Sequence, residues 1–513
     1  MSRFYEMLPG ILAWTTLVFM FLFSWLLPTW VSVFIILFDI YWFLKTVYLS
    51  LHLRVAFTEM RKNMKIDWLA RLHALAAGEE PGRTAPDLKP EEVYHLVIFP
   101  MYDEPHAVVR ESFLRLREAH YPMDRIIVVL AIEARAGEGA ATTARKIEAE
   151  FAPSFHKFLV TMHPADLDGE IPGKGSNETW AGIRAKEALI DPFRIPYNRV
   201  LVSVFDVDTQ IFREYFGRLT YVYLAAKDRV RAIYQPVPFF TNNIYEAPAL
   251  ARVTAFSTTF WQMMQQSRPE RLTSFSSQST PLQTLVDIGF WQKDIVSEDS
   301  RIFWQGFLRY HGEFRVEPLH YPLSMDANVA PTFWKTMKNL YKQQRRWGWG
   351  AENIPYMLDG FRRDPLIPRA KKRYWTFNVL EGFHSWATNS LMIFALGWLP
   401  LYLGGRHFGY SVLAYNLPRI TRYIISFSMI GIVSSAVLSV LLLPPKSTGA
   451  PLSFGDYILY FFQWLLMPIT LIIFGAFPGL EAQTRLMLGG RFRLGFWVTP
   501  KGRRELREFS PES

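Results

Sequence analysis

The sequence predicts an α/β domain with a doubly wound, mostly parallel sheet, inserted between helical membrane segments. Three observations lead to this fold class: long apolar runs at both ends of the chain, short β-branched runs alternating with helix-like stretches between them, and few charged residues. Of the 513 residues, 50% are hydrophobic, 16% are aromatic and 20% are charged. This charge content is low for a soluble protein.

The N-terminal apolar runs predict a transmembrane helical hairpin over residues 1–52. Residues 9–28 carry no charge and are long enough to cross about 30 Å of hydrocarbon. Residues 30–51 follow at once, which a cleaved signal peptide does not explain. Asp39 lies inside this second run, where an ionisable group either faces a polar path or bonds a neighbouring helix.

A basic cluster follows the hairpin and predicts that the next segment is cytosolic. Its members are Arg54, Arg61, Lys62, Lys65 and Arg71. The net charge of +10 fits either an anionic membrane surface or nucleic acid. No basic block with interleaved aromatic residues of the nucleic-acid-binding type occurs in the sequence, and a membrane surface explains the same charge. We therefore expect the lipid bilayer as a partner and no nucleic acid. The chain has no cysteine, which excludes disulfides and cysteine-based metal sites.

A Gly- and Pro-rich stretch ends a cytosolic linker over residues 53–93, and the soluble domain is predicted over residues 94–330. Strands are predicted at 94–100, 125–132, 157–162, 200–205 and 231–235. Helices are predicted near 106–119, 139–151, 174–189 and 210–227. Nearly continuous apolar strands separated by helices indicate a parallel sheet covered on both faces.

Three further regions follow the soluble domain. Residues 331–375 combine aromatic and basic residues at helical spacing, which predicts helices in the membrane interface, with Trp349 as an anchor. Residues 376–480 contain apolar segments that predict transmembrane or re-entrant helices. Residues 481–513 form a basic tail that we expect to be cytosolic.

The apolar segments between residues 376 and 480 raise a problem of topology. They lie at 377–403, 423–443 and 457–478. Three full crossings would put the basic tail outside, so one segment is expected not to cross. Either the last segment is re-entrant, because Pro468 breaks it, or the start of the first segment lies in the interface.

Acidic residues follow three of the predicted strands, where a doubly wound sheet binds its ligands. They are Asp103, Glu104, Glu133, Asp206 and Asp208. Asp206 and Asp208 form an Asp-x-Asp directly after an apolar strand, whereas a second copy, at Asp166 and Asp168, lies in a loop. Two carboxylates so placed can hold Mg²⁺ or Mn²⁺; a solvated acidic rim is the alternative.

Three more short motifs follow in order along the chain. They are Glu298-Asp299, Gln343-x-x-Arg346-Trp347 and Phe496-x-Val-Thr499-x-Lys501. With the Asp-x-Asp, they resemble the membrane-bound family-2 glycosyltransferases of the cellulose and hyaluronan synthase type. The resemblance covers about residues 94–350 and the tail, and it implies a GT-A fold for the cytosolic domain.

The resemblance also implies a donor site. Asp103, Glu104 and Glu133 stand where that family holds the nucleoside. Lys174 and Asn177 match basic and amide positions of its donor site. Asp206 and Asp208 would hold the donor diphosphate and the metal.

Catalytic and acceptor roles are implied in the same way. Asp299, beside Glu298, matches the general base that deprotonates the acceptor. Gln343, Arg346 and Trp347 would shape the acceptor site and contact the pyrophosphate, although an interfacial anchor is the alternative. Thr499 and Lys501 match the loop that closes over the donor; an ordinary basic tail is the alternative.

The function implied is inverting transfer of a sugar from a nucleotide sugar, expected to be a UDP-sugar, to a glycan acceptor at the membrane. Processive polysaccharide synthesis is the leading hypothesis. Single-sugar transfer to a lipid-linked acceptor and a non-catalytic membrane scaffold are the alternatives. The expected location is the plasma (inner) membrane of a bacterium.

Two departures from the family pattern leave the substrates open. Glu133 is followed by Ala134 and Arg135 where many relatives have an aspartate pair. This difference leaves the identity of the donor's nucleobase open. Residues 275–280 do not match the acceptor-side motif of cellulose synthases.

Overall fold

The structure is a computed structural model that describes residues 3–446, 451–500 and 503. The strands are β1 (Tyr94–Met101), β2 (Ile126–Glu133), β3 (Lys157–His163), β4 (Val200–Val204), β5 (Gln210–Ile211), β6 (Ala232–Phe239), β7 (Gln278–Pro281) and β8 (Arg315–Ser324). The helices are α1 (Arg3–Leu26), α2 (Pro28–Asn63), α3 (Trp68–Ala76), α4 (His106–Arg117), α5 (Gly137–Phe151), α6 (Lys174–Ala185), α7 (Tyr215–Ala225), α8 (Ala249–Gln266), α9 (Leu282–Ile288), α10 (Glu298–Arg309), α11 (Phe333–Gly348), α12 (Asn353–Arg363), α13 (Arg369–Leu396), α14 (Leu399–Leu403), α15 (Gly405–Gly409), α16 (Val412–Leu441), α17 (Phe454–Phe462), α18 (Met467–Leu471) and α19 (Phe477–Leu488).

The sheet has eight strands in the order β3-β2-β1-β4-β7-β6-β8-β5. Strands β1 to β4 pair in parallel, as do β6 and β8. β7 is antiparallel to both β4 and β6, and β5 is antiparallel to β8. The predicted α/β domain with a mostly parallel sheet is therefore confirmed. β5, β7 and β8 are additions that the sequence pattern did not predict.

Both faces of the sheet are covered, because successive side chains of a strand point to opposite faces. Along β1, Val97 and Phe99 join one buried cluster, and Leu96 and Ile98 join the other. Helices α4, α5 and α7 supply the first cluster, whereas α6, α9 and α10 supply the second. This is the doubly wound arrangement that the nearly continuous apolar strands predicted.

Apolar helices flank the sheet domain at both ends, as predicted. In the part of the chain that the structure describes, four stretches are long and apolar enough to cross a membrane: Arg3–Leu26, Pro28–Asn63, Val412–Leu441 and Phe454–Leu488. The second stretch continues well past the predicted end of the hairpin at residue 52. Asp39 is buried within it, at 4% exposure.

The ends of α13 and of the last apolar stretch contact different parts of the structure. Leu396 at the end of α13 and Leu417 of α16 pack with Leu17 and Val31 near the turn of the N-terminal hairpin. By contrast, the stretch from Phe454 to Leu488 contacts the sheet domain or α11 near both of its ends. Arg252 of α8 donates to Gln463 at 2.8 Å, and Tyr341 of α11 donates to Glu481 at 2.8 Å.

Candidate functional site

The parallel strands β1, β2 and β4 end at one edge of the sheet, and the predicted donor-site acids follow them there. Glu133 is 5% exposed and pairs with Arg135, whose guanidinium lies 4.6 Å from the ring centre of Tyr102. Glu104 accepts the backbone N–H of Tyr102 at 2.8 Å, and Asp103 is exposed. Arg135 and Tyr102 therefore fix the local arrangement of these acids.

Lys174 begins α6 and joins three acidic residues from different parts of the chain. Its Nζ lies 2.8 Å from Asp206, 3.3 Å from Glu178 and 4.0 Å from Glu298. Burial lowers the pKa of Lys174, but these carboxylates outweigh burial and hold the pKa well above its usual value. The lysine is therefore a fixed positive charge at the end of β4.

The two glutamates around Lys174 are buried, Glu178 at 1% and Glu298 at 3% exposure. Burial raises the pKa of Glu178, and Lys174 only partly opposes it. Burial and the neighbouring Asp299 raise the pKa of Glu298 well above its usual value. Because both glutamates are almost fully buried, they are poorly placed to take a proton from an acceptor hydroxyl, which requires hydrogen-bond reach.

Asn177 ties α6 to the end of β2. Its Nδ2 donates to the carbonyl of Ala131 at 2.8 Å, and the side chain is 1% exposed. Its buried Oδ1 makes no hydrogen bond within the described part of the chain. Asn177 thus fixes the first turn of α6 against the C-terminal part of β2.

Ser276 connects the Asp-x-Asp to the acidic pair of α10. Its hydroxyl donates to Asp206 Oδ2 at 2.8 Å, and its backbone N–H donates to Asp299 Oδ2 at 2.9 Å. Asp299 Oδ1 accepts the N–H of Ser300 at 2.8 Å. Ser276 has φ +48°, a conformation that costs a non-glycine residue energy and clusters at functional sites. The serine holds the two carboxylates close together.

Asp208 is fully buried. Its Oδ2 accepts the backbone N–H of Asp326 at 2.9 Å. The Asp326 carboxylate in turn binds the tail residue Arg503, with Nη2 to Oδ1 at 2.7 Å. Arg503 also contacts Glu111.

The predicted metal ligands offer the oxygen donors that Mg²⁺ and Mn²⁺ prefer. Asp206 is the accessible one, with 26% of its side chain exposed. The donor types at this strand end fit a divalent cation through Asp206. A second group, Asp67, His120 and Glu214, could also hold a metal ion, since its ligand atoms lie within 4.8 Å of one another. The sequence did not predict that group.

Helix α11 presents the Gln-x-x-Arg-Trp residues to the site. Trp347 packs against the rings of Phe275 and Phe240, at centroid distances of 5.6 and 6.1 Å. Gln343 is 9% exposed and lines a small cavity with Trp347. The positive charge of Arg346 acts on the carboxyl of Glu298.

Trp349, which the sequence predicted as an interfacial anchor, is 2% exposed and buried in a cluster with Val296 and Leu486. The anchor prediction was wrong, because the chain turns after Gly348 and packs this ring beside Val296, just before α10.

The C-terminal tail crosses the same edge of the sheet. A Cβ added at Gly173 would lie 2.6 Å from the ring of Phe496, so only glycine allows this approach. The guanidinium of Arg346 lies 5.0 Å from the centre of the same ring. Thr499 is 8% exposed, and its Oγ1 makes no hydrogen bond within the ranges described. Lys501 lies outside the described residues.

The fold brings to the site several residues that the sequence did not single out as site residues: Glu178, Ser276, Asp326 and Arg503. Glu178 had a usable signal, because it lies four residues after Lys174 and therefore on the same helix face, where the two side chains form an ion pair. Ser276 lies in the segment that matched no known motif. The exposed pair Asp166 and Asp168 lies in a loop, as the sequence predicted.

Comparisons with known proteins add solved structures of low similarity. No family model and no curated protein matches the chain. The mannosyltransferase PcManGT from Pyrobaculum calidifontis, solved with GDP-Man and Mn²⁺, is 14% identical, with 77% of this chain and 99% of that chain covered and a TM-score of 0.39. Residues 1–349 of S. aureus TarS, solved with UDP-GlcNAc, are 14% identical, with 67% and 90% covered and a TM-score of 0.36. Similarity at this level carries no argument on activity.

The geometry itself defines what the site can do. A fixed cation, Lys174, lies beside the accessible carboxylate Asp206, and a second carboxylate, Asp299, is held close by through Ser276. A guanidinium and an indole ring flank them on α11. The arrangement can bind an anionic group at Lys174 and accept a proton at Asp299.

Proposed function

We propose that this chain is a membrane-embedded glycosyltransferase that transfers a sugar, with inversion, from a UDP-sugar to a glycan acceptor and extends that glycan processively. The observation that carries the proposal is the bridge through Ser276. It places Asp206, the acid expected beside the donor diphosphate, next to Asp299, the acid expected to accept the proton.

The donor diphosphate would be bound from two sides. Lys174 lies at the N-terminus of α6, where the helix dipole also favours an anion. Arg346 presents a planar guanidinium that can bind phosphate oxygens in pairs. A divalent cation held by Asp206 and Asp208 would neutralise the charge that develops on the leaving diphosphate. The tail residues Phe496 and Thr499 would exclude water from this side.

The transfer requires one proton acceptor near the acceptor hydroxyl. Asp299 takes the hydroxyl proton, the oxygen bonds to the anomeric carbon, and the bond from that carbon to the diphosphate breaks. A single displacement of this kind inverts the configuration. Each oxygen of Asp299 accepts one backbone N–H and retains a second lone pair for the proton.

The acceptor would lie against Trp347, since an indole face packs well against a sugar ring. The cavity beside Trp347 is also lined by Asn328 and Gln344. Both Asn328 side-chain atoms and Gln344 Nε2 are buried without hydrogen bonds within the described ranges. Buried polar atoms of this kind are costly unless a polar ligand satisfies them. The cavity, of about 10 Å³, has room for about one water, which can satisfy these atoms beside an acceptor that lies on Trp347.

A second candidate is single-sugar transfer to a lipid-linked acceptor. A cleft of about 380 Å³ lies between α1, α11 and α19 at the level of the membrane helices. Its walls include Trp14, Phe477 and Leu480, and its polar residues include Glu481 and Arg485. An apolar cleft with a charged end suits a lipid with a polar head.

Product size separates these functions. Membranes containing the protein are incubated with a panel of radiolabelled nucleotide sugars, and the products are sized. A polymer supports the main proposal, and a labelled lipid with one sugar supports the second candidate. If no nucleotide sugar of the panel serves as a donor, the result would support a non-catalytic scaffold and overturn both proposed functions.

A further inference from the structure

The carboxylate of Glu352 binds the segment that opens α10, the helix that carries Glu298 and Asp299. Its Oε1 accepts the N–H of Val296 at 3.1 Å, the N–H of Ser297 at 2.9 Å and the Ser297 hydroxyl at 2.7 Å. Its Oε2 accepts the indole N–H of Trp349 at 2.9 Å. A carboxylate here also favours the positive end of the α10 dipole.

The residue after Glu352 binds the first turn of α10. Asn353 Nδ2 donates to the Ser300 hydroxyl at 2.9 Å, and its Oδ1 accepts Arg301 Nε at 2.6 Å. Arg301 is 1% exposed, and it also donates to the carbonyl of Glu352 at 3.1 Å. The chain is thus bound on both sides of Asp299, at the two residues before α10 and in the first turn of that helix.

Glu352 and Asn353 directly continue α11. Glu352 ends the short 3₁₀ turn Trp349–Glu352 that follows the helix carrying Gln343, Arg346 and Trp347, and Asn353 begins α12. The helix that faces the acceptor and the helix that carries the proton acceptor are therefore joined through one buried polar network.

We propose that Glu352 is a positioning residue, which sets the place of the Asp299 carboxylate relative to an acceptor lying on Trp347. This inference rests on the proposed glycosyl transfer. The hydrogen bonds of Glu352 go to Val296, Ser297 and Trp349, and not to Asp206 or Lys174 on the donor side. We therefore expect a change at Glu352 to lower kcat and to leave donor binding unchanged. Displacing a reacting group by about 1 Å can cost about 10²-fold in rate.

The test compares Glu352→Ala with Glu352→Gln. The alanine variant should lose at least about 10-fold in kcat, with the KM for the nucleotide sugar little changed. The glutamine variant keeps an oxygen for Val296 and Ser297 but presents an amide to Trp349, so its kcat should lie between alanine and wild type. Glu80→Ala is the matched control, because Glu80 is also a hydrogen-bonded carboxylate, paired with Arg71 and Tyr221 away from α10.

A double-mutant cycle with Asp299→Asn identifies how Glu352 acts. If it acts through Asp299, adding Glu352→Ala to Asp299→Asn should cause little further loss. Additive losses, or a donor KM that rises as much as kcat falls, would overturn the positioning role while leaving the proposed function intact. Failure of the wild type to transfer sugar from any donor would instead overturn the proposed function, and the positioning role with it.

Discussion

Ser276 donates its backbone N–H to Asp299 at 2.9 Å, although Ser276 lies before β7 and Asp299 lies 23 residues later, at the start of α10. The same serine binds Asp206 through its hydroxyl. One residue therefore sets the spacing between the acid after β4 and the acid of α10.

The bridge predicts that stability and activity respond differently to changes at Ser276. Ser276→Ala and Ser276→Gly both remove the hydroxyl, and the loss of a hydrogen bond to a charged group should lower kcat about 10-fold. Only glycine relieves the positive φ, which costs other residues about 1 kcal/mol or more. The glycine variant should thus unfold at a higher midpoint than the alanine variant. Full turnover in both variants would show that the bridge plays no part.

Transfer should require a divalent metal bound through Asp206 and Asp208. Asp206→Asn with Asp208→Asn should abolish transfer, because amides neither carry the negative charge nor bind Mg²⁺ or Mn²⁺ as well. The matched control is Asp166→Asn with Asp168→Asn, which changes the exposed loop pair and should be tolerated. Wild-type transfer that continues in excess EDTA would contradict the metal assignment.

Asp299→Asn should separate binding from turnover. The amide keeps the shape of the carboxylate but accepts no proton, so turnover should fall by at least about 10²-fold. Nucleotide binding should persist, as measured by equilibrium titration. A loss of nucleotide affinity as large as the loss of rate would place Asp299 at the donor instead.

Gly173→Ala should disturb the tail from the opposite side of the contact. The new Cβ would lie within 3 Å of three Phe496 ring and side-chain atoms, so the tail should move away from α6. We expect a donor KM roughly tenfold higher, about 1.4 kcal/mol, and faster tryptic cleavage of the tail. Gly139→Ala is the control, since no atom lies within 4 Å of its added Cβ. A normal KM in Gly173→Ala would mean that the tail does not cover the donor.

The tail should lie on the same side of the membrane as the sheet domain. α13 reaches the turn of the N-terminal hairpin, and α16 runs back so that its C-terminal end packs on the core of the sheet domain. The stretch Phe454–Leu488 binds α8 near its start and α11 near its end. Single cysteines at Tyr410 and at Arg491, both exposed, test this in the cysteine-free chain. An impermeant thiol reagent should modify Tyr410→Cys in intact cells and Arg491→Cys only after permeabilisation. Modification of Arg491→Cys in intact cells would overturn this topology.

The sequence by itself determined the elements whose apolar composition predicts that they are buried or cross a membrane. Strands β1, β2 and β4 are nearly continuous apolar runs, and a strand covered on both faces needs such a run. β3, at the edge of the sheet, is only half-buried. The acids at the ends of β1, β2 and β4 followed directly, since parallel strands end at one edge. The apolar helices at both termini were equally plain, because crossing hydrocarbon requires length and low charge.

Only the tertiary structure decided the strands and contacts that depend on distant partners. β7 (Gln278–Pro281) and β8 (Arg315–Ser324) contain polar residues and prolines, and pairing with β4 and β6 makes them strands. Trp349 looked like a membrane anchor because aromatic and basic residues surround it, yet the turn after α11 buries it. Lys174, Ser276 and Glu352 act through residues far away in the chain. Local pattern carries no signal for such contacts, since they form only when separate elements pack together.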